Sequence, residues 1–135
     1  MTYTIYTQQP TPGDIDILHP LLRESYWSPG IPRDTVENAC AHSKCVIARD
    51  ATGGLIGFAR AITDGAVFAW ICDVMVVPER RGEGIGRALV SELVSHPELK
   101  TVRRFMLGTL DAHGVYAGIG FGPINLQPSE FMKLF

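Results

Sequence analysis

The spacing of the hydrophobic residues changes abruptly near position 80 of the chain. The segment Trp70–Val77 is an apolar run, rich in β-branched and aromatic residues, that stops at Pro78, and this pattern predicts a buried strand. In the segment Ile85–Val94 apolar residues recur every three or four positions with polar residues between them, which predicts an amphipathic helix. We expect this helix to end before Pro97, because a residue that precedes proline disfavours the helical conformation. The rest of the chain is organised around this strand, bend and helix.

The hydrophobic pattern also predicts the elements on either side of this unit. The other predicted strands lie at Thr2–Thr7, Cys45–Arg49, Leu55–Thr63 and Arg103–Leu107, followed by a last extended segment at Gly122–Phe135. The other predicted helices run from a cap at Asp14 to about Tyr26, from Pro32 or Asp34 to His42, and over Ala112–Ile119. Asp64 and Gly65 are predicted to form a two-residue hairpin turn that leads into the central strand at Ala66. Strands that are first antiparallel and then connected through helices predict an α/β (α+β) fold, with a mixed, largely antiparallel central sheet flanked by about four helices.

Composition and charge fit one small cytoplasmic domain that covers residues 1–135. The chain is 46% hydrophobic and 19% charged, as in ordinary globular domains, and its length suits a single core. The net charge of −2 provides no overall field for nucleic acid or an anionic membrane, and Asp73 interrupts the longest apolar run. The polar start of the chain argues against a secretory signal, and the three cysteines lack a metal-ligand spacing. We therefore expect reduced thiols and no nucleic-acid, membrane or metal partner.

The bend between the central strand and helix contains three glycines within the five residues 82–86. Glycine lets the backbone turn sharply and approach a ligand closely, and the first N–H groups of a helix attract anions. Arg80, Arg81 and Arg87 add positive charge to this bend. The alternative is a tight surface turn with solvated arginines. The sequence lacks the lysine of a P-loop and the glycine spacing of a dinucleotide fingerprint, so neither of those phosphate-binding motifs applies.

This bend resembles the cofactor motif Q/R-x-x-G-x-G/A of the GNAT superfamily of N-acetyltransferases. Arg81, Gly84 and Gly86 occupy its three defined places, and Gly82 and Ile85 match its commonest form. The predicted order of strands and helices resembles the GNAT fold as well. The resemblance implies that the loop binds the pyrophosphate of coenzyme A, and that backbone groups at the end of the strand bind the pantetheine arm. The implied loop residues are Arg81, Gly82, Glu83, Gly84, Ile85, Gly86 and Arg87, and the strand residues are Met75, Val76 and Val77.

A second stretch, Thr109–Phe121, is similar to the GNAT pattern N-x-x-A-x-x-L/V-Y-x-x-x-G-F. The matching residues are Ala112, Tyr116, Gly120 and Phe121. Thr109 replaces the asparagine of the pattern, and its hydroxyl can still hydrogen-bond pantetheine with a shorter reach. By this resemblance Thr109, Ala112 and Tyr116 contact the cofactor, and Tyr116 lies near its sulfur. Tyr116 is therefore the candidate general acid, and an amphipathic core tyrosine is the alternative.

Transfer of an acetyl group to an amine also calls for a base. A lysine-like amine is neutral in only about one molecule in a thousand at pH 7, and this adds roughly 4–5 kcal/mol to the barrier. Asp73 is the candidate base because it is the only charged residue in the central strand, where an unpaired charge is costly, and a structural role is equally open. The predicted hairpin pairs Asp73 with Ile56 and Arg60 with Ala69, so Arg60 would not neutralise Asp73 unless a bulge changed the register.

Two further regions complete the predicted site. His113 and Asp111 are candidates for a base or a water relay, although an exposed histidine and a helix-capping aspartate are the plainer roles. By the GNAT resemblance, Tyr26 and Trp27 form a wall of the acceptor site, with a core plug as the alternative for the indole. No acidic cluster selects among a polyamine, an amino acid, an aminoglycoside and a peptide N-terminus as the acceptor.

These features predict a cytoplasmic enzyme that moves an acetyl group from acetyl-CoA directly to a primary amine of a small molecule or peptide. The alternative from another class is a non-catalytic acyl-CoA-binding sensor or interaction domain. The chain end is apolar, and it would either form a homodimer interface or close the core. The residues concerned are Phe131, Met132, Leu134 and Phe135.

Overall fold

The structure is a computed structural model that describes residues 2–122. Its strands are β1 (Thr4–Thr7), β2 (Lys44–Arg49), β3 (Leu55–Thr63), β4 (Phe68–Val76) and β5 (Arg104–Met106). Its α-helices are α1 (Pro12–Arg23), α2 (Arg33–Ala41), α3 (Ile85–Val94) and α4 (His113–Ala117). Apart from Gly122, the predicted extended segment at the chain end lies outside the described residues, as do the four apolar residues proposed for a dimer.

The five described strands form one sheet in the order β1-β2-β3-β4-β5. Neighbouring strands are antiparallel except β4 and β5, which are parallel and connected through α3. This confirms the predicted mixed, largely antiparallel sheet flanked by helices. The change from antiparallel to parallel pairing occurs at β4, so the central strand separates the two types of connection.

Helices cover both faces of the sheet. On one face α3 buries Ile85, Leu89 and Leu93 against residues of β2 and β3 such as Val46 and Ala59. On the other face α1 and α2 bury a second cluster around the fully enclosed ring of Phe58. Its other members include Ile15, Leu18, Leu22, Val36, Ile47 and Met75. The sheet is thus anchored by burial of apolar surface on both sides, which fixes the position of β4 between the helices.

The start of α1 differs from the prediction. Thr11, not Asp14, is the N-cap, and the two residues form a capping box in which each side chain accepts the other's backbone N–H. The Asp14 carboxylate also accepts two hydrogen bonds of 2.7 Å from the guanidinium of Arg49 on β2. A buried ion pair therefore fixes α1 to the sheet.

The predicted register of β3 and β4 is wrong. Thr63 pairs with Ala69 rather than Ala66, because the turn is longer: the Asp64 carboxylate accepts the N–H groups of residues 66, 67 and 68. The pairing then shifts by one more residue at a bulge between Phe58 and Arg60. Within this bulge Asp73 has a φ of +53°, a left-handed conformation that aspartate tolerates better than most residues. As a result Arg60 pairs with Cys72, next to Asp73 in sequence.

Candidate active site

β5 pairs along its whole length, but only with the first three residues of β4. The parallel pairing covers Phe68–Trp70 and Arg104–Met106, whereas β4 continues to Val76 with no partner on its β5 side among the described residues. An unpaired strand edge presents N–H and C=O groups to an extended ligand that carries amides of its own. The open edge of β4 therefore provides a binding surface that leads toward the start of α3.

The backbone groups at the end of β4 are not all available. The N–H of Val77 donates to the C=O of Ile56 at 2.9 Å, and the Val77 C=O accepts the N–H of Arg80 at 3.0 Å. Because successive residues of a strand point their backbone groups to opposite edges, those of Val76 face the open side. The Val76 C=O is bonded to Nε of Arg81 at 3.0 Å, which leaves its N–H for a ligand. Of the three residues predicted to contact pantetheine through the backbone, Val77 is therefore already paired.

The glycine loop is built to approach an anion. Gly82 and Gly84 have φ values of +82° and +81°, which favour glycine, and a Cβ on either would meet no atom within 4 Å. Gly84 is the N-cap of α3, and no side chain caps this helix. The N–H groups of its first turn are therefore free to bind a ligand, and the helix dipole adds partial positive charge. This open, uncapped loop offers backbone N–H groups to an anion.

The side chains around the loop are already engaged in contacts within the protein. Arg80 forms an ion pair with Glu83 at 2.9 Å, so its charge is locally balanced. Arg81 is fixed to the end of β4, as described above, and Nη2 of Arg87 donates to the C=O of Gly118 at 2.8 Å. Arg81 and Arg87 are exposed at these positions. The contact of Arg87 also connects α3 to the end of α4, where the candidate acid lies.

Tyr116 lies on α4, half-buried, with its ring edge-on to Phe121 at a centroid distance of 6.3 Å. Burial raises the pKa of Tyr116, and charge interactions with Tyr26 and Asp111 raise it further. A phenol with a raised pKa keeps its proton at neutral pH. Tyr116 therefore has the protonation state that a general acid needs.

The segment before α4 is organised by Thr109. Its hydroxyl accepts the N–H of Ala112 at 3.1 Å, and no side chain caps α4, so the predicted capping role of Asp111 is wrong. The threonine hydroxyl still has a proton to donate to a ligand. Asp111 and His113 are both exposed. For His113 this matches the plainer of its two predicted roles, that of an exposed histidine.

Asp73 is enclosed by two partners. Its Oδ2 accepts from Nε of Arg60 at 2.7 Å, and its Oδ1 accepts from Nε1 of Trp27 at 2.9 Å. The predicted register, in which Arg60 does not neutralise Asp73, is therefore wrong, because the longer turn and the bulge bring Arg60 opposite Cys72. The aspartate side chain is only 7% exposed, so this ion pair is buried. The sequence does not predict the bond to Trp27, and it allows Arg60 beside Asp73 only if a bulge changes the register. The one signal in the sequence is a charged residue within an apolar strand.

Tyr26 and Trp27 stand beside this carboxylate and remain exposed, by 54% and 42%. Their rings meet edge to face with centroids 4.9 Å apart. The structure thus brings together Asp73, Trp27 and Tyr26, and Tyr26 in turn lies near Tyr116. The glycine loop lies separately, at the far end of the open edge of β4.

The family of the chain follows from comparison with known proteins. Residues 41–123 match the family model described as an acetyltransferase (GNAT) domain. A crystal structure from Xanthomonas campestris pv. campestris, assigned to the GNAT family of acetyltransferases, superposes with a TM-score of 0.90 at 38% identity, covering 100% of this chain and 94% of that one. The chain belongs to the GNAT family of acetyltransferases.

Two curated relatives are similar over a shorter range. The uncharacterized N-acetyltransferase ycf52 of Pyropia yezoensis is 31% identical over 97 residues, which cover 67% of this chain and 55% of the relative. Serotonin N-acetyltransferase 2, chloroplastic, of Oryza sativa subsp. japonica is 34% identical over 93 residues, which cover 64% and 46%. The chain spans about half the length of the curated relatives it matches. Within residues 2–122, no helix combines the length and apolar character needed to cross a membrane.

Proposed function

We propose that this chain transfers the acetyl group of acetyl-CoA directly to a primary amine of a small molecule or peptide. The observation that carries the proposal is the open edge of β4, which runs from the Asp73 bulge to the uncapped start of α3. An extended ligand with amides along its length and a diphosphate at one end is complementary to this surface. Membership in an acetyltransferase family supports acetyl-CoA as that ligand.

Acetyl-CoA, when bound, supplies an acyl group that is already activated as a thioester. The first-turn amides of α3, with Gly82 and Gly84, would hold the pyrophosphate, and the N–H of Val76 and the hydroxyl of Thr109 would orient the arm. The side chain of Met75 is buried against α1 and α2, which fixes this part of β4 on the helices. These residues bind and orient the donor and take no part in proton transfer.

Tyr116 would deliver a proton from its hydroxyl to the thiolate of coenzyme A. The new bond joins the amine nitrogen to the acyl carbon, the carbon–sulfur bond breaks, and the amine loses the proton that balances the one given to sulfur. A free thiol has a pKa of about 8.5 and an ordinary tyrosine a pKa of about 10. Proton transfer from such a tyrosine to the thiolate is therefore uphill by roughly 2 kcal/mol. The raised pKa of Tyr116 increases this cost, which positioning in a partly buried site must offset.

The proton on the amine has three candidate acceptors: Asp73, His113 and water. Both oxygens of Asp73 are already bonded, whereas His113 is exposed at the start of α4. Proton transfer to water or to His113 would therefore break no contact within the protein. This assignment leaves Asp73 free for a different role.

The acceptor is proposed to be a small-molecule amine that lies against Tyr26 and Trp27. The exposed aromatic rings provide an apolar wall, and the similarity to a protein named as a serotonin N-acetyltransferase supports a small amine.

We also propose that the protein works in the cytoplasm, as a monomer or as a homodimer joined through its apolar C-terminal residues. Light scattering at increasing concentration distinguishes the two oligomeric states.

The experiment that tests this function measures coenzyme A release from acetyl-CoA with a panel of amines, beside calorimetric titration with coenzyme A. A transferase releases one thiol for each acetylated amine, which mass spectrometry of the product counts. Binding of coenzyme A without amine-dependent release would instead identify the alternative, a non-catalytic acyl-CoA-binding sensor or interaction domain.

A further inference from the structure

Asp73 is held in an unusual backbone conformation at the middle of the site. Among the described residues it is the only non-glycine residue with positive φ, at +53°. Conformations of this kind are strained and persist where surrounding contacts determine them. The Asp73 side chain makes contacts of this kind.

Those contacts connect three parts of the chain. Arg60 of β3 binds one carboxylate oxygen through Nε, and its Nη1 donates to Oγ of Ser43 at 3.0 Å. The Ser43 hydroxyl in turn donates to the C=O of Ala39 near the end of α2 at 2.7 Å. The other carboxylate oxygen accepts the indole N–H of Trp27 from the connection between α1 and α2. The ion pair thus joins the β4 bulge to the connections at both ends of α2.

Trp27 combines a hydrogen bond to a buried carboxylate with an exposed ring. Its indole N–H is bound to a carboxylate that is 7% exposed, while the residue as a whole is 42% exposed. A tryptophan that only filled the core would be buried, and one that only lay on the surface would not need a buried anion. A fixed orientation with an exposed ring suits a residue that presents its face to a ligand.

We propose that Asp73 and Arg60 form a positioning pair that holds Trp27, and with it the connection between α1 and α2, in the orientation that receives the amine. The proposal rests on the proposed function, since it places the acceptor at that connection. Asp73 is then a positioning residue and not the base. To take a proton from the amine it would have to release Trp27 or leave the buried guanidinium of Arg60 unpaired, which is costly. Within residues 2–122, the thiols of Cys40 on α2 and Cys72 on β4 also lie near the carboxylate.

Tryptophan fluorescence tests the pair without any reaction. The chain has two tryptophans, so a Trp70→Phe background leaves Trp27 as the single reporter. In that background Asp73→Asn removes the charge while retaining a residue that tolerates the left-handed conformation, and Arg60→Met removes the partner. We expect both changes to lower the anisotropy of Trp27 and to shift its emission to the red.

A matched control is available in the same protein. Asp14 and Arg49 form an ion pair of nearly the same burial, with side chains 6% and 15% exposed against 7% and 14% for Asp73 and Arg60. Asp14→Asn should destabilise the protein to a similar degree in thermal melts but leave the emission of Trp27 unchanged. Equal spectra for the Asp14, Asp73 and Arg60 variants would overturn the proposal.

Kinetics then separate positioning from proton transfer. Trp27→Phe, Asp73→Asn and Arg60→Met should each raise KM for the amine on the order of tenfold or more, with KM for acetyl-CoA nearly unchanged. The double variant at positions 27 and 73 should be no worse than the worse single variant, because both act through the same bond. Trp27→Phe leaves the ion pair intact and so guards against a general folding defect.

The base assignment predicts a different outcome. If Asp73 took the proton, Asp73→Asn would remove the acidic limb of the kcat/KM profile, and Trp27→Phe would leave KM for the amine unchanged. Those results would overturn the proposal. If Trp27 responds in the fluorescence experiment but wild-type protein acetylates no amine, the positioning pair stands and the proposed transferase function fails, so the two failures are distinguishable.

Discussion

The hydroxyl of Tyr26 accepts a hydrogen bond of 3.2 Å from the backbone N–H of Leu110, across 84 residues of sequence. This bond joins the connection after α1 to the segment between β5 and α4. The same tyrosine contributes to the raised pKa of Tyr116. The proposed acceptor wall and the proposed acid are therefore physically connected, so a change at Tyr26 should be detectable in the chemistry of Tyr116.

Tyr26→Phe should move the basic limb of the kcat profile to lower pH. A general acid works only while protonated, so turnover falls as pH rises through its pKa. Removal of the Tyr26 hydroxyl removes one of the causes that raise the pKa of Tyr116, while burial, the largest cause, persists. Steady-state kinetics from neutral to alkaline pH measure the shift, and an unmoved or higher basic limb would contradict it. Stability should change little, because Leu110 is 73% exposed and water can replace the lost bond.

The local part of this fold could be predicted from the sequence. The helical spacing that begins at Ile85 and the apolar run before Pro78 are encoded by neighbouring residues, and α3 does begin at Ile85. The strand predicted at Leu55–Thr63 has those bounds in the structure. Elements of this kind depend on periodicity and on breakers such as proline, both of which a sequence displays directly.

The register of β3 and β4 could not be predicted in the same way. It depends on Asp64, which accepts three backbone N–H groups and so lengthens the turn. It also depends on a bulge between Phe58 and Arg60, which no single residue of the sequence predicts. The ion pair between Arg60 and Asp73 follows from that register. The bond between Trp27 and Asp73 spans 46 residues and depends on how α1 packs on the sheet. The glycine loop lies before α3, where the motif predicts it, whereas the contacts of Tyr26 and Trp27 needed the tertiary structure.

Gly84→Val should weaken coenzyme A binding at least tenfold, that is by about 1.4 kcal/mol or more. The cause is the backbone: Gly84 has a φ of +81°, which a β-branched residue adopts only with strain, although the space around it is open. The first turn of α3 must shift to relieve that strain, and the amides proposed to hold the pyrophosphate shift with it. Titration calorimetry with coenzyme A measures the loss.

Gly65→Val is the matched control for this change. Gly65 has a φ of +73° and equally open surroundings, but it lies in the turn between β3 and β4, at the opposite end of β4 from the glycine loop. It should lower the melting temperature in a similar way and leave coenzyme A affinity unchanged. If both variants lost affinity equally, the loss would reflect general destabilisation and the placement of the pyrophosphate would be wrong.

Asp14→Asn should lower stability at neutral pH by about 3 kcal/mol, as expected when one partner of a buried ion pair is removed. The hydrogen bonds from Arg49 hold the pKa of Asp14 below its ordinary value. Stability from this group is therefore fully present above the unfolded-state pKa of about 3.9 and is lost as pH falls through the lower folded-state pKa. The variant should show a shallower decline in stability below about pH 4. Thermal melts from acidic to neutral pH test this, and parallel curves for the two proteins would exclude a role for Asp14 in acid unfolding.

Tyr116→Phe should lower kcat by about 10² to 10⁴ if the hydroxyl protonates the thiolate of coenzyme A. The change keeps the ring and its edge-on contact with Phe121, so coenzyme A affinity and the melting temperature should stay close to those of the wild type. Tyr6→Phe serves as a control, because Tyr6 is an exposed tyrosine on β1, at the opposite edge of the sheet from β5. Wild-type turnover by Tyr116→Phe would assign the proton to water or to His113. A loss of coenzyme A affinity equal to the loss of turnover would instead place Tyr116 in binding, since an acid acts on the chemical step and not on the bound ground state.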